Sequence, residues 1–592
     1  MKAKTTVIWF VLAAALFAFI WIFEHHFQSP PAVSANLLSG LRAAEVTGIQ
    51  IIPAGAKEIS AHREGKVWQL EKPVVYPAQP AAIQALLAAL EKLAAVTRLT
   101  AAELSAHKNA DAEFGFENPQ FSLIVEAGEQ RWQLLIGNKT APGDQVFVRL
   151  VGVDGAFVTP VDWLQSLPHS VGEWRDTSLV AAADACDWIV ITNGAKVIEL
   201  RRDPTNQLWQ MLRPLPARAN SPRLTAALQQ LRAAQSAQFV TDDPKADLTT
   251  YGLQPAELDV WLGRGTNFFA AVHAGKAAPE NPALVFARRE NYGSVITVAK
   301  DALAAWRGAV NDFRDPHLLE LTAPIAEIEM RGETNFTLQH TAKGWSVAGE
   351  KFPVDAENVQ ALFKLLASLR VAEFVKDVAT EPDLESFGLA APTRQVTLRT
   401  VAGDTNSVLA RLLFGGGTNR IFAKRADEDF VYAVAAADVS RLPEHAWEFR
   451  ERRLWNFSET NIVQVTLHQG GKTRQLVRSG ANVWAFAAGS QGIINPHAIE
   501  ESIHRLGELA AAGWVGRNIS APEKYGLDTN NLSITAELKS GEKFTVDFGL
   551  ELPAAQTALA AVTLDGERWV FVFPPVLYQL VAAYLTIPAN AP

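Results

Sequence analysis

Phe114-Gly115-Phe116, Tyr251-Gly252-Leu253, Phe387-Gly388-Leu389 and Tyr525-Gly526-Leu527 are four occurrences of one tripeptide, aromatic-Gly-apolar, with glycines 137, 136 and 138 residues apart. A fixed period of that size is the mark of a tandem array. Other positions fall into register around it: Trp68, Trp209, Trp345 and Trp484 stand 47, 43, 43 and 42 residues before the respective glycines. The chain therefore divides into a leading segment, 1–45, and four copies of one domain, 46–180, 181–320, 321–456 and 457–592. Length agrees, because 592 residues exceed what one hydrophobic core organises.

Within a copy the patterning predicts an α+β domain of antiparallel sheet and helix. Each tryptophan ends an alternating segment whose turn, at Gly65, Asn206, Gly344 or Gly480 to Asn482, predicts a hairpin. An amphipathic helix follows, with Ile83, Leu86, Leu87, Leu90 and Leu93 on one face in the first copy. Ser221, Asp355 and Asn495 are expected to cap its later versions, with Pro222 and Pro496 at the first helical position. The tripeptide reads as a helix C-cap, since glycine takes the left-handed conformation without a Cβ clash. Leu248 with Leu253 and Leu384 with Leu389 have the Schellman spacing, whereas Asp111 and Pro522 replace the leucine in the first and last copies, predicting looser caps there. Paired strands resume, such as Phe121 to Val125 with Trp132 to Ile136, and a second glycine follows at Gly137, Gly275, Gly415 or Gly549. Trp174-Arg175-Asp176, Phe313-Arg314-Asp315 and Phe449-Arg450-Glu451 close the first three copies and are read as joints between neighbours.

Ahead of the copies, Thr5 to Phe23 is an uncharged run of membrane-spanning length. Lys2 and Lys4 precede it, so the positive-inside rule places the N-terminus in the cytoplasm and the copies outside the cytoplasmic membrane. The run is read as an uncleaved single-pass anchor in preference to a signal peptide cut near Val33-Ser34-Ala35.

Trp68-Gln69-Leu70-Glu71-Lys72-Pro73, the helix after it, the Tyr/Phe-Gly-Leu tripeptides and Leu135-Ile136-Gly137-Asn138-Lys139 resemble the bacterial family known as domain of unknown function 4340, over nearly all of the chain past Val46. The resemblance implies a membrane-anchored envelope protein with one or more such repeats. Family members are often encoded beside ABC-type export systems similar to the gliding-motility transporter, which implies an accessory role. It supplies no catalytic residue. The fourth copy departs from the pattern by lacking proline after its tripeptide.

Composition and motifs point away from enzymes and nucleic acid. A net charge of -9 without a basic run gives no surface for polyanions. A single cysteine, Cys186, excludes an intramolecular disulfide and a Cys-based zinc site, and Asp184 and Asp187 beside it oppose a nucleophilic thiolate. Gly471-Lys472-Thr473 lacks the upstream glycine of a phosphate loop, and Gly415-Gly416-Gly417 introduces strand, so both read as turns. His25-His26 are adjacent and there is no HExxH or GxSxG; His497 and His504 read as exposed. The expectation is no catalytic residue, cofactor or metal. The repeat residues Trp68, Phe114, Gly115 and their counterparts are read as fold-making, and Arg175, Asp176, Arg314, Asp315, Arg450 and Glu451 as junction or interaction residues. The functional expectation is a non-enzymatic scaffold or accessory subunit of an envelope transport system. The alternatives are an envelope glycan- or lipid-binding protein, for which the sixteen tryptophans would provide stacking surfaces, and a hydrolase or transferase with an unrecognised site.

Overall fold

The computed structural model describes residues 11–21, 36–321, 323–402, 405–416, 420–490, 494–527 and 532–587. Residues 11–21 form an exposed helix. The rest of the expected membrane segment, together with His25, His26 and the alternative cleavage site, lies outside the described residues. Among the described residues no helix is long and apolar enough to cross a membrane.

The described residues are α+β, built on four antiparallel sheets. The chain divides into two compact units, Met1–Asp315 and Pro316–Pro592, with two sheets in each. In the first sheet the strands are β1 (Gly48–Pro53), β2 (Ile59–Glu64), β3 (Val67–Lys72), β4 (Tyr76–Pro77), β5 (Thr97–Leu99), β6 (Phe121–Ala127), β7 (Gln130–Lys139), β8 (Gln145–Leu150) and β9 (Ala156–Pro160). Their spatial order is β4-β3-β2-β1-β6-β7-β8-β9-β5. The topology is two meanders that meet where β1 pairs with β6, Ile49 opposite Val125 and Ile51 opposite Leu123. Helix Pro80–Glu91 leaves one edge at β4, and the chain rejoins the sheet at the other edge as β5.

Period-two burial makes these strands: in β1 Ile49 and Ile51 are buried while Gln50 is half-buried. The inward residues share one core with Ile83, Leu86, Leu87 and Leu90 of the helix. Each such side chain contributes about 1.5–3 kcal/mol on burial, so a helix this short is held by tertiary packing more than by intrinsic propensity.

The second sheet repeats this order with nine strands, from Trp188–Asn193 to Val295–Ala299, around helix Ser221–Ala233. The second unit has two eight-stranded sheets with helices Ala356–Ser368 and Pro496–Gly507, neither carrying an equivalent of β4. The helix starts follow the sequence with one shift. Asn495 accepts from the Ala498 amide at 3.2 Å and Asp355 from that of Glu357 at 2.9 Å. In the second copy the cap is Asn220, accepting from the Arg223 amide at 3.1 Å, while the Ser221 hydroxyl accepts from the Trp209 amide at 2.9 Å and ties helix to hairpin.

Candidate functional site

All four tripeptides close a short helical turn by the same pair of hydrogen bonds. The amides of Phe116, Leu253, Leu389 and Leu527 donate to the carbonyls of Asp111, Leu248, Leu384 and Pro522 at 2.7–3.0 Å, and each glycine amide donates within the turn at 3.0–3.3 Å. The glycines have φ of 68–81°, so each is a Schellman cap. The caps expected to be looser in the first and last copies form as in the others, because the motif bonds backbone to backbone and does not require leucine. What they cap also differs from expectation. The turn is a separate one, such as Ala110–Glu113 or Glu381–Ser386, divided from the repeat helix by the edge strand.

The second glycine explains the first. A Cβ at Gly137, Gly275 or Gly549 would lie 2.1 Å from the carbonyl oxygen of Phe114, Tyr251 or Tyr525, and one at Gly415 2.2 Å from that of Gly388. The amides of Asn138 and Lys276, just past this glycine, donate to Phe114 and Tyr251 at 2.8 and 3.0 Å. A bulge interrupts the long strand at this point in the first, second and fourth copies. Cap and bulged strand thus press together with only glycine between them, leaving no room for a ligand.

Trp68, Trp209 and Trp484 are buried, but Trp345 is half-exposed, its ring against Phe363 and His340 at 5.6 and 5.0 Å. Arg202 and Arg478 lie over Trp209 and Trp484 at 4.9 and 4.6 Å, and Trp484 Nε1 donates to Glu500 at 2.8 Å. These residues make core and rim contacts within their own copies.

The junction elements are the polar feature with the most organised surroundings. Arg175 is 1% exposed. Its guanidinium donates to Asp242 at 2.5 Å and lies 4.4 Å over Phe239, with Tyr76 5.6 Å away. Asp242 also accepts from the Ser294 hydroxyl at 2.7 Å. Burial raises the Asp242 pKa, but the Arg175 and Ser294 hydrogen bonds outweigh it and leave the carboxyl below the usual range. Arg289 completes the enclosure over Tyr76 and Tyr292 and pairs with Asp176 at 3.4 Å. Backbone bonds run alongside: Asp176 N–H donates to Pro77, Leu179 N–H to Ala234, and Ser236 N–H to Thr177. The linker is thereby laid between an edge of the first sheet and an edge of the second.

The other two junctions use the same local geometry. Ala219 and Val354 bridge to Arg314 and Arg450 as Ala78 does to Arg175. Arg314 is 2% exposed and donates to Asn311 at 3.3 Å, while Asp315 is paired with Arg218. Arg450, 8% exposed, lies 4.2 Å over Trp569 with Phe352 and Trp514 at 5.8 Å, and burial holds its pKa below the ordinary value. The Glu451 amide donates to Pro353 at 2.8 Å. The partners Asp242, Phe239 and Arg289 were not singled out from sequence; the signal for the first two is an aromatic four residues and an acid seven residues after Gln235, and Arg289 has none.

The remaining groups are placed as follows. Cys186 is buried, and burial above all, with Asp187 and Asp184 adding less, pushes its thiol up to about 12. Gly470 and Gly471 make the hairpin turn before Lys472. His497 is exposed, and His504 is exposed and paired with Glu459 at 3.1 Å. Glu333, Glu444 and His445 have ligand atoms within 4.8 Å of one another, but Glu444 is already paired with Arg394, which makes the group an ordinary surface ion cluster.

None of the curated proteins matches this chain. Among solved structures, the crystal structure of the DNA polymerase sliding clamp from Pseudomonas aeruginosa with ligand aligns over 67% of this chain and 93% of that one, at 8% identity and a TM-score of 0.11, a value that supports no shared fold. The family model described as Domain of unknown function (DUF4340) matches three times, over residues 68–207, 209–351 and 345–530. Its segments start at or beside Trp68, Trp209 and Trp345, so its frame runs from the hairpin tryptophan of one sheet to the first strands of the next. Matched along most of its length, the chain belongs to the DUF4340 family.

Proposed function

We propose that the protein is a non-enzymatic scaffold, anchored by the segment Thr5 to Phe23 with its copies outside the cytoplasmic membrane, and that it serves as an accessory subunit of an ABC-type export system. The observation that carries the scaffold reading is the joint between the first two copies, where Arg175, Asp242, Phe239 and Arg289 are spent on holding neighbours together. Buried charge enclosed by aromatics has one arrangement that satisfies it, which favours fixed spacing over free linkage. Anchor and export partner rest on the uncharged leading run and on the family resemblance. Crosslinking in intact membranes followed by solubilisation and identification of partners tests the proposal: a permease or ATPase is expected, and a reproducible set containing neither refutes it. Protease shaving of spheroplasts tests orientation, with protection of the C-terminal copy as the contrary result. Glycan recognition is the second reading, favoured by Phe268, 40% exposed and stacked on Trp188 at 4.1 Å. It predicts tryptophan fluorescence that changes with cell-wall fragments.

A further inference from the structure

Gly513 opens the edge strand Gly513–Arg517 of the fourth sheet and is explained by none of the backbone requirements that account for the motif glycines. Its φ is not positive, and a Cβ built on it meets nothing within 4 Å. Glycine in a strand is less favourable than alanine, and it marks places where something approaches the backbone closely. The same position, three residues after Gln235 or Arg370, holds Gln238 in the second copy and Glu373 in the third. The fourth copy alone of these three is bare there.

The space in front of Gly513 is a cleft of about 300 Å³ within the second unit. Leu362 and Leu365 of helix Ala356–Ser368 line it, with Phe449 and Trp514. Trp514 is fixed in place, because its Nε1 donates to the Arg450 carbonyl at 2.9 Å. Two guanidinium groups belong to the same cleft, Arg441 and Arg452, with side chains 67% and 45% exposed. Each has one acidic neighbour at long range, Arg441 3.9 Å from Asp438 and Arg452 3.6 Å from Asp355, and Arg452 also donates to the Asn358 side-chain amide oxygen at 2.8 Å. The one carboxylate lining the cleft, Glu448, accepts from the amides of Glu444 and His445 at 2.8 Å and is held by its own loop. At about 30 Å³ per water-sized group the volume takes roughly ten heavy atoms.

We propose that this cleft binds a small carboxylate with an apolar, ring-bearing body, the ring against Trp514, Leu362 and Leu365 and the carboxylate met by Arg441 and Arg452. Apolar lining with a few convergent polar groups is the composition of a small-molecule site, and guanidinium is the side chain that matches carboxylate in planar, bidentate fashion. The inference is independent of the scaffold reading, which concerns the opposite use of arginine, in closed joints.

Calorimetric titration of the full chain with 3-phenylpropionate tests it, with the uncharged 3-phenylpropanol as comparison. Saturable binding is expected for the acid, at least about tenfold weaker for the alcohol, since charge-assisted bonds are roughly twice as strong as neutral ones. Gly513→Leu fills the space and is expected to abolish binding with the unfolding midpoint kept. The rim variant Arg441→Gln, at an exposed position, is expected to weaken the acid and leave the alcohol unchanged. No saturation with the acid, equal affinity for acid and alcohol, unaltered affinity in a folded Gly513→Leu protein, or tighter binding of phenyl phosphate than of 3-phenylpropionate would each overturn the assignment.

Discussion

Replacing Arg175 by methionine keeps most of the side-chain volume and removes the charge, so it isolates what the guanidinium does at the first junction. Arg175 is 1% exposed, bonded to Asp242 at 2.5 Å and stacked on Phe239 at 4.4 Å. Removing one partner of a buried pair costs about 3–5 kcal/mol when the other is left buried. The Asp242 side chain is 39% exposed and retains its Ser294 bond, so its stranded charge is partly solvated and the cost falls to the low end. Loss of the stacking adds about 0.5–2 kcal/mol, and the better burial of methionine offsets a similar amount. The net expectation is a junction easier to open by about 3 kcal/mol, roughly a hundredfold in equilibrium. Hydrogen exchange reads this at named amides: Asp176, Leu179 and Ser236, whose bonds to Pro77, Ala234 and Thr177 tie the linker down at 2.7–2.9 Å. Those three are expected to exchange faster by that factor, while amides of β1 and β6 keep parent rates. Asp242→Asn is expected to give a smaller effect and, combined with Arg175→Met, less than the sum, because both remove one interaction. Unchanged exchange at the three amides, or strict additivity of the two substitutions, would show that the ion pair does not hold the joint.

Three further outcomes follow from the same geometry. Gly275→Ala puts a Cβ 2.1 Å from the Tyr251 carbonyl oxygen, a clash with backbone that no rotamer relieves, and is expected to cost at least about 3 kcal/mol in urea unfolding; a loss near the ~1 kcal/mol typical of point substitutions would mean the cap is not pressed on the strand. His273 lies 2.6 Å from both Asp259 and Glu290, and its pKa is raised, by the Asp259 hydrogen bond first, against opposing desolvation and with help from Glu290. A raised folded pKa means the stabilisation is full below the unfolded value near 6.5 and disappears as pH rises through the folded value, so stability should fall across that window and His273→Gln should flatten the slope; a parent slope identical to the variant's excludes the linkage. Cys186, buried with its thiol near 12, is expected to react with a disulfide reagent only as fast as the protein unfolds, and rapid labelling under native conditions would contradict its placement.

The period of the tripeptide made the four-fold α+β organisation legible, as did the hairpins at the tryptophans and the helix stripe. Each is a local pattern whose cause lies within a few residues. The edge strands Thr97–Leu99, Ser236–Thr241, Val371–Lys376 and Gly513–Arg517 were not legible. They are edge strands with bulged pairing to their neighbours in the last three, so apolar alternation is broken and Gln238 or Glu373 can sit where a central strand would bury an aliphatic residue. Missing them hid the partners of the junction arginines. Asp242 is far from Arg175 in sequence, and its role exists only because the edge strand brings the two together. The Trp345 ring, half-exposed although it stands 43 residues before its glycine just as the buried Trp209 does, shows the converse: equal spacing predicts equal placement on the fold, while burial depends on what packs above it.

That edge strand also shows that the junctions are not interchangeable. Counting from the residue that bridges to the linker, Gln235 in the second copy and Ala510 in the fourth, the aromatic cover stands four residues on, as Phe239 and Trp514, and the residue facing the buried arginine seven residues on. In the second copy that residue is Asp242; Asp377 occupies the same place seven after Arg370; in the fourth copy it is Arg517. The acid has been replaced by a like charge. Arg517 turns to Glu350 at 2.8 Å and Glu567 at 2.6 Å, and Arg450 is left with no guanidinium hydrogen bond among the described residues and only the exposed Asp565 at 3.8 Å. An arginine so enclosed is held by Trp569, Trp514 and Phe352 more than by an ion pair. The two joints contained within single units are thus held differently, the first by a buried arginine–carboxylate pair and the third-to-fourth by stacked aromatics together with the Arg517–Glu350 pair that crosses from the fourth copy to the third. The third-to-fourth joint is also the one beside which Gly513, Arg441 and Arg452 line a cleft. The fourth copy departs from its counterparts at this joint and beside this cleft, so it is there, and not in the motif shared by all four, that a specific ligand or partner is to be sought.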